Sequence, residues 1–230
     1  MKKLTLITSL IILSLLTSQG QEQKFELGLS LFPSYSIGII SDNTTPTSPI
    51  GSTFEENEIW KPSFCSNIFI DYRLSKNSIV GIGIGYQNNG ERTKKTDINF
   101  STPDPSLPLQ VRFIYNRYNI EIPIYYKHML HNKFFILVGT SGLINIYNTT
   151  TSVQYFPNNS NERNIENDIS TDYREFNISG NFGFGLDYFS TKKATFFLLP
   201  YIQYGILGIS KSATLNRNFL SLGISTGIKL

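Results

Sequence analysis

The chain has 230 residues, a formal net charge of +3 and a single cysteine. Charged residues make up 16% of the chain, below the roughly 25% of a typical soluble domain, whereas aromatic residues reach 13% through 17 Phe and 13 Tyr. This composition excludes a disulfide framework, and it leaves no strongly basic surface to bind nucleic acid.

The N-terminus has the layout of a secretory signal peptide. Lys2 and Lys3 provide a positively charged start, residues 4–16 are apolar apart from small hydroxyl side chains, and Ser18 and Gly20 have the spacing that signal peptidase reads. We expect cleavage after Gly20. The apolar stretch is too short for a permanent membrane span. The alternative interpretation is a buried N-terminal helix.

The division that follows is a signal peptide at 1–20 and one domain at 21–230. Within the domain no run of about 18 apolar residues could form a transmembrane helix. Apolar residues instead alternate with small or polar ones, and this period of two is typical of strands with two unlike faces. Eight segments show the pattern, and they span 25–31, 67–74, 80–86, 118–127, 134–147, 176–188, 196–206 and 220–230.

Two features leave the local register of these segments open. The fifth and seventh segments do not define which of their faces is polar, and the fifth is apolar on both. Three prolines, Pro33, Pro123 and Pro200, lie along the predicted strands. Each removes one donor from a hydrogen-bonded ladder, so we expect bulges or bends there.

The connections between the segments alternate strictly in length. Short ones lie at 75–78, 129–133 and 191–193, and long polar ones at 38–61, 89–110, 148–172 and 208–218. In outer-membrane barrels short turns face the periplasm, long loops face outside, and the strand number is even. We therefore predict an all-β, eight-stranded antiparallel up-and-down transmembrane β-barrel in the outer membrane of a Gram-negative bacterium, with short periplasmic turns, long extracellular loops and both termini periplasmic.

The composition of the two strand faces indicates which one meets lipid. One face carries Ile, Leu and Tyr, whereas the other carries small and polar residues, such as Gly81, Gly83 and Gly85. A solvated outer face would carry many long charged side chains, but small residues suit the crowded interior of a narrow barrel. We expect the aliphatic face to meet hydrocarbon. A soluble periplasmic barrel is the alternative.

Aromatic residues mark the two ends of the predicted strands. Those at the outer end are Tyr35, Tyr86, Tyr118, Tyr147, Phe176 and Tyr204, and those at the periplasmic end are Phe25, Tyr72, Tyr126, Phe134, Tyr188 and Phe196. Tyr118 and Tyr126 are about 26 Å apart along a strand at roughly 3.3 Å per residue. At a tilt of about 40° this spans roughly 20 Å, close to the apolar band between aromatic girdles. Tyrosines packed in a sandwich core are the alternative.

Six charged residues on the polar face form the candidate lumen polar network. They are Asp71, Arg73, Arg117, Glu121, Lys127 and Asp187. One interpretation is a selective polar pathway. The favoured one is a plug of salt bridges and hydrogen bonds, because an eight-stranded barrel has room only for side chains and buried charge requires pairing.

The sequence shows no catalytic, cofactor or metal site. The glycines at Gly81, Gly83 and Gly85 continue an alternating strand and lack the spacing and the following helix of a phosphate-binding loop. His128 and His131 flank a predicted turn without partner ligands. We expect no enzyme activity, no cofactor and no bound metal.

One strand resembles a family motif. Residues 117–127 read RYNIEIPIYYK, similar to the Y-L-E-I-P-L-L-L-K strand of the outer-membrane protein β-barrel domain family, which includes PorT-like and "porin family" small barrels. The strand near Gly139, residues 183–188 and the closing 222–224 fit the same pattern, so the resemblance covers 21–230.

The resemblance implies an integral outer-membrane barrel with a structural, adhesive or secretion- or assembly-related role. The partners implied are membrane lipids and lipopolysaccharide, the outer-membrane assembly machinery, and surface or secretion proteins. The alternative function is a small pore that passes ions or solutes across the outer membrane, suggested by the polar face of the strands.

Overall fold

The structure is a computed structural model that describes residues 24–41, 57–100, 104, 106–131, 133–168, 173–191, 193–211 and 216–230. The proposed signal peptide lies outside the described residues, so it stays a prediction. Among the described residues, no helix is long and apolar enough to cross a membrane.

The described residues form eight long strands and three short ones. In chain order they are β1 (Phe25–Ser41), β2 (Glu58–Ile59), β3 (Lys61–Arg73), β4 (Ser78–Thr93), β5 (Thr96–Asp97), β6 (Gln110–Met129), β7 (Phe134–Tyr155), β8 (Asn161–Asn167), β9 (Phe176–Ser190), β10 (Thr195–Gly205) and β11 (Asn216–Lys229). The eight long strands, β1, β3, β4, β6, β7, β9, β10 and β11, follow the eight predicted segments in order.

The eight long strands close into a ring. Each pairs antiparallel with the next one along the chain, and β11 returns to β1 over a ladder that runs from Gly28↔Lys229 to Ser41↔Asn216. This closure leaves none of the long strands with a free edge along the barrel. The predicted all-β, eight-stranded antiparallel up-and-down barrel is confirmed.

The two ends of the barrel differ in their connections. At one end, the turn end, the strands are joined by short turns, as where Leu74 N–H donates to the Ser78 carbonyl and Thr191 N–H to the Ala194 carbonyl. The first and last strand residues, Phe25 and Lys229, lie at this same end. The described parts of the longer connections lie at the opposite end, the loop end.

Parts of the predicted long connections are strands, which corrects the predicted loop boundaries 38–61, 89–110, 148–172 and 208–218. β4, β6 and β7 continue past the barrel and, together with β2, β5 and β8, form what we term the loop-end extension. These segments are rich in Thr, Asn and Ser and lack apolar alternation. Their sequence therefore did not indicate strands, and their backbones pair because a neighbouring strand offers an open ladder.

The described ladders show no bulge at the prolines, and the alternative expectation of bends there stays a prediction. The register runs without a shift past all three, Pro33, Pro123 and Pro200. In an antiparallel ladder each N–H points to only one neighbouring strand. A proline therefore interrupts one pairing, and the other keeps the register. At Pro33 the ladder with β3 continues through Phe64, while the ladder with β11 passes from Leu31 to Ser34.

The register shifts instead lie where the sequence was ambiguous. Between β6 and β7 the pairing passes from Tyr118↔Tyr147 to Asn119↔Asn145, so Ile146 is an extra residue. An extra residue changes which side chains face inward. The fifth predicted segment looked apolar on both faces for another reason, because its inward side chains Phe135, Leu137 and Leu143, all before the extra residue, are themselves apolar.

The aliphatic face of the strands is the outer surface. Leu29, Ile68, Ile84 and Val138 each expose about half of their surface, as expected of side chains that meet hydrocarbon. Aromatic rings cluster on this surface at both ends of the barrel, the loop end and the turn end. At the loop end Tyr118 lies between Tyr86 and Tyr147, with ring centroids 6.1 and 4.1 Å apart. At the turn end the rings of Phe25 and Tyr72 are 4.8 Å apart.

Candidate functional site

Two buried lysine–aspartate pairs lie inside the barrel near its turn end. Lys127 Nζ donates to Asp71 Oδ2 at 2.5 Å, and Lys229 Nζ donates to both carboxylate oxygens of Asp187 at 2.9 and 2.8 Å. Tyr125 Oη donates to the other oxygen of Asp71 at 2.7 Å. The four ionised groups are neutralised pairwise, which is the condition for keeping charge in a buried site.

An apolar cluster surrounds these pairs. It consists of Phe69, Phe135, Leu137, Phe197 and Leu199, and together with the two ion pairs it forms what we term the turn-side lumen. Lys127 Nζ lies 4.8 Å from the ring centroid of Phe69, and Lys229 Nζ lies 5.7 Å from that of Phe135. Ammonium groups over aromatic rings are stabilised by the ring quadrupole. The cluster therefore surrounds the ion pairs with apolar side chains, and its rings contribute to the solvation of the two cations.

Inward-facing glycines make the room for these rings. A methyl group at Gly28 would overlap the ring of Phe69, and one at Gly185 would overlap the ring of Phe135. Protein interiors are close-packed, so a ring that fills the bore needs a facing position without a side chain. Gly28, Gly81 and Gly185 are thus the counterpart of interior aromatic rings, whereas Gly85 faces the side chain of Asn67.

Glu121 occupies the middle of the lumen and is 2% exposed. Its Oε1 accepts from Ser141 Oγ at 2.6 Å and from Gln203 Nε2 at 2.7 Å, and its Oε2 accepts from the Cys65 thiol at 2.7 Å. No described cation forms an ion pair with it. Neutral donors therefore stabilise this carboxylate, in contrast to the salt bridges expected for the lumen charges.

Amide side chains fill the lumen above Glu121, and we term them the loop-side lumen. Its members are Gln87, Asn89, Asn119, Asn145 and Gln203. Gln87 Nε2 donates to Gln203 Oε1 across the bore. Gln87 Oε1 accepts from Asn89 and Asn119, and Asn145 donates to Asn119 Oδ1 at 3.1 Å. Each amide both donates and accepts, and Gln203 connects the group to the Glu121 carboxylate.

At the loop end, Arg217 links three strands. Its guanidinium binds Glu58 Oε1 and Glu91 Oε1, both at 2.8 Å. Since these residues lie on β11, β2 and β4, the cluster ties the last strand to the extension. Glu58 and Arg217 fell within predicted loops, where no alternation marked them as facing inward.

Arg117 stacks on a residue from the connection between β8 and β9. Its guanidinium carbon lies 3.9 Å from the ring centroid of Tyr173, and the Tyr173 hydroxyl donates to Asp168 at 2.7 Å. Burial, reinforced by this hydrogen bond, raises the pKa of Tyr173 to about 12. The contact holds the end of this connection over the lumen.

The six predicted lumen residues do not form one network. Arg73 lies at the exposed turn end of β3, 2.9 Å from Glu26. Only Asp71 and Lys127 bind each other directly. The remaining predicted residues, Arg117, Glu121 and Asp187, each bind partners outside the predicted set.

The residues that the sequence did not single out are mainly the interior aromatics. Phe69 lies between Asn67 and Asp71 on the polar face of its strand. An aromatic residue at that position was the available signal that the bore is packed. Lys229 likewise lies on a polar face, but its partner Asp187 is far away in the sequence.

Two cavities in the described part of the lumen are small. One cavity beside Glu121, Tyr125 and Lys127 has a volume of about 50 Å³, and one in the loop-side lumen near Arg117 has about 30 Å³. A water molecule requires about 10–15 Å³ of such volume, so each cavity holds at most a few waters.

The described residues offer no set of metal ligands. No group of three or more His, Cys, Asp and Glu side chains is arranged to hold an ion in this part of the chain. His128 lies on the surface, where its Nδ1 is 3.2 Å from the Tyr126 hydroxyl.

Comparisons with known proteins agree with this architecture. A family described as "Outer membrane protein beta-barrel domain" matches residues 19–214. No curated protein shows significant sequence similarity to the chain.

Similar solved structures include three bacterial barrels. The attachment invasion locus protein Ail of Yersinia pestis has 8% identity and a TM-score of 0.41, over 90% of this chain and 100% of Ail. Neisserial surface protein A has 12% identity and a TM-score of 0.40, over 90% and 97%. The translocator domain of the autotransporter NalP from Neisseria meningitidis has 8% identity and a TM-score of 0.35, over 99% and 95%.

Proposed function

Because the chain belongs to the outer membrane protein β-barrel domain family, we propose that it is a non-conducting barrel of the Gram-negative outer membrane that presents its loop-end extension outside the cell. Its role is then structural or adhesive, or related to secretion or assembly, and is carried by the extension. The turn end, with both chain ends, faces the periplasm, as in other outer-membrane barrels.

The observation that carries this proposal is the packed lumen. The aromatic cluster, the two ion pairs and the amide group fill successive levels of the bore, and the two cavities described among them hold only a few waters each. A path for ions needs a continuous wet bore, which wider barrels provide and an eight-stranded one does not.

Single-channel recording of the full chain in planar bilayers tests the sealed lumen. We expect no discrete current steps from the wild type. The Phe197→Ala/Gln203→Ala variant removes one plug side chain from each half of the bore and should produce current steps, which shows that insertion into the bilayer is efficient. Heat-dependent gel mobility checks that both proteins are folded. Discrete steps from the wild type would contradict the proposal.

Labelling of whole cells tests the orientation. The chain has one cysteine, Cys65, which is buried, so the wild type should not react with a membrane-impermeant maleimide. Asn164→Cys places a thiol on exposed β8 and should be labelled, whereas Asn77→Cys at the turn end should be labelled only after lysis. The reverse pattern would show that the turns face outside.

A further inference from the structure

A cleft lies at the tip of the loop-end extension, between the β5–β6 ladder and the turn that joins β7 to β8. Its volume is about 680 Å³, which is within the roughly 300–1,000 Å³ of clefts that hold small ligands. Aromatic and apolar side chains, among them Tyr155, Phe156 and Pro157, line it together with polar ones. None of its lining residues belongs to the plug of the lumen, so the cleft is a second and separate site.

A row of four paired residues runs along the cleft. Asp97 on β5 pairs with Gln110 on β6. Gln110 pairs with Tyr155 on β7, which pairs with Asn161 on β8. Directly paired residues of adjacent strands have their side chains on one face, and Gln110 Nε2 indeed donates to Asp97 Oδ1 at 2.7 Å. The row therefore places a carboxylate, two amides and a phenol side by side.

Hydrogen bonds hold the turn beside this row in one conformation. Phe156 N–H donates to the Ser160 carbonyl, and Asn159 N–H donates to the Phe156 carbonyl, both at 3.1 Å. Asn158 Oδ1 accepts from the Ser160 N–H and hydroxyl at 3.0 and 2.6 Å. Asn159 has a φ of 63°, a conformation that asparagine tolerates well. The wall of the cleft is thus preorganised, which lowers the entropic cost of binding a ligand.

The polar groups of the row can both donate and accept hydrogen bonds. The amides of Gln110 and Asn161 and the phenol of Tyr155 do either, and the Asp97 carboxylate accepts. Sugar hydroxyls also do both, whereas phosphate and sulfate groups act as acceptors. An apolar ligand would leave these polar groups unsatisfied, at a cost in free energy. The row is therefore complementary to a polyhydroxylated ligand.

The charge of the cleft argues for a neutral ligand. Among the lining residues, which all lie in the described part of the chain, only Lys95 and Asp97 are ionised at neutral pH, so the two charges cancel. Lys95 Nζ lies 3.8 Å from the ring centroid of Tyr155, where the ring quadrupole stabilises it. A polyanion would meet the Asp97 carboxylate without a surplus of cations to offset the repulsion.

The apolar part of the lining fits the C–H groups on the face of a sugar ring. Packing of that face against Phe156 and Pro157 removes apolar surface from water. A peptide that adds a strand would need an open strand edge. The backbones at Gln110 and Tyr155 are already paired on both sides, so the row can bind a ligand only through its side chains.

The height of the cleft separates it from the lipid. Gln110 lies eight residues beyond Tyr118 on the same strand, which corresponds to about 20 Å at roughly 3.3 Å per residue and a tilt of about 40°. The Tyr118 ring belongs to the girdle at the membrane–water interface, and the headgroup layer beyond the hydrocarbon is roughly 5–8 Å thick. The ligand of the cleft therefore comes from solution.

We propose that this cleft binds a short neutral oligosaccharide through Asp97, Gln110, Tyr155 and Asn161. The site rests on the proposed function, since it supplies an adhesive ligand for the loop-end extension at the cell surface. Soluble sugars without a lipid anchor should bind, because the row contacts only the sugar.

Binding of soluble sugars to full-length protein in phosphatidylcholine nanodiscs tests the site independently of conductance and of orientation in the cell. The probes are maltotriose, cellotriose, mannotriose and chitotriose, and a heparin tetrasaccharide is the charged comparison. The row variant is Asp97→Ala/Asn161→Ala. The matched control is Thr96→Ala/Glu162→Ala, because these neighbours lie on the same two strands and on the opposite face. All four side chains are exposed, and heat-dependent gel mobility verifies that each variant is folded.

We expect at least one of the four neutral trisaccharides to bind the wild type with a Kd of about 1 mM or tighter. The row variant should bind it roughly 10- to 100-fold more weakly, because it loses hydrogen bonds to one charged and one neutral side chain. The control variant should bind like the wild type.

Three results would each overturn the proposal. They are the absence of binding by all four neutral trisaccharides, equal affinity of the row variant and the wild type, and tighter binding of the heparin tetrasaccharide than of the neutral sugars. A wild type that conducts but shows the expected sugar binding would refute only the sealed lumen.

Discussion

The turn-side and loop-side lumens fill the same bore by different chemistry. The turn-side lumen holds two ion pairs within a cluster of large apolar side chains. The loop-side lumen holds neutral amides that bind one another. One half therefore holds ion pairs among apolar side chains, whereas the other holds hydrogen-bonded amides with the buried Arg117 beside them.

The two halves should therefore respond differently to the loss of one side chain. A buried ion has a single suitable partner, and losing it leaves an uncompensated charge. Each amide has several partners, so the loss of one leaves the others largely satisfied. We expect the turn-side lumen to depend on individual residues and the loop-side lumen to tolerate substitution.

The largest effect is expected for Lys127→Met. This change leaves the carboxylate of Asp71, which is 1% exposed, without its cation and should lower the free energy of unfolding by about 3–5 kcal/mol. Urea unfolding of the folded barrel, followed by gel mobility and by the fluorescence of Trp60, the single tryptophan, measures the change.

Two variants isolate the cause of that loss. Asp71→Leu combined with Lys127→Met removes both charges and should recover most of the stability, because an apolar pair can replace a buried ion pair. Arg73→Gln breaks the exposed pair with Glu26 at the same end and should cost only about 0–1 kcal/mol. If Lys127→Met lowered the free energy of unfolding no more than Arg73→Gln does, the buried ion pair would not depend on its individual residues as we expect.

An intermediate effect is expected for Gly185→Ala. The added methyl would overlap the ring of Phe135, and overpacking of this kind costs about 1–3 kcal/mol. The same urea titration measures it. Gly180→Ala is the matched control on the same strand, since its methyl would approach nothing closer than Ile206 Cδ1 at 3.9 Å.

Replacement of the facing ring tests the mechanism of this loss. Combining Gly185→Ala with Phe135→Leu should cost less than the sum of the two single changes, because the smaller side chain leaves room for the methyl. Strictly additive losses would argue against a direct glycine–ring fit.

The smallest effect is expected for Asn119→Ala in the loop-side lumen. Gln87 Oε1 would still accept from Asn89, and Asn145 would still donate to Asn148 at 3.0 Å. The cost should be about 1 kcal/mol, measured by the same unfolding titration. A loss as large as that of Lys127→Met would show that the amides form a cooperative unit instead of a redundant one.

Much of the barrel could be predicted from the sequence because alternation is a local property. The polar face of residues 118–127 correctly places Glu121 and Lys127 inside. The loop-end extension could not be predicted, since β8 has neither an apolar face nor buried side chains and pairs only through its backbone with β7.

The partners inside the lumen depend on how the strands are staggered around the ring. Asp71 meets Lys127 across β4, and Asp187 meets Lys229 across β10. Each contact depends on two successive ladders, so a shift of one residue in either would separate the charges. No property of the individual strands specifies this stagger.

The amino-acid sequence alone specifies eight two-faced strands in this order, with an aliphatic face and a face of small and polar residues. These features follow from side-chain alternation and turn composition, which act over a few residues. The tertiary structure, by contrast, places aromatic rings over the glycines and brings Lys127 to Asp71. Both arise from ladders between residues distant in the chain, where closure of the ring sets which side chains meet.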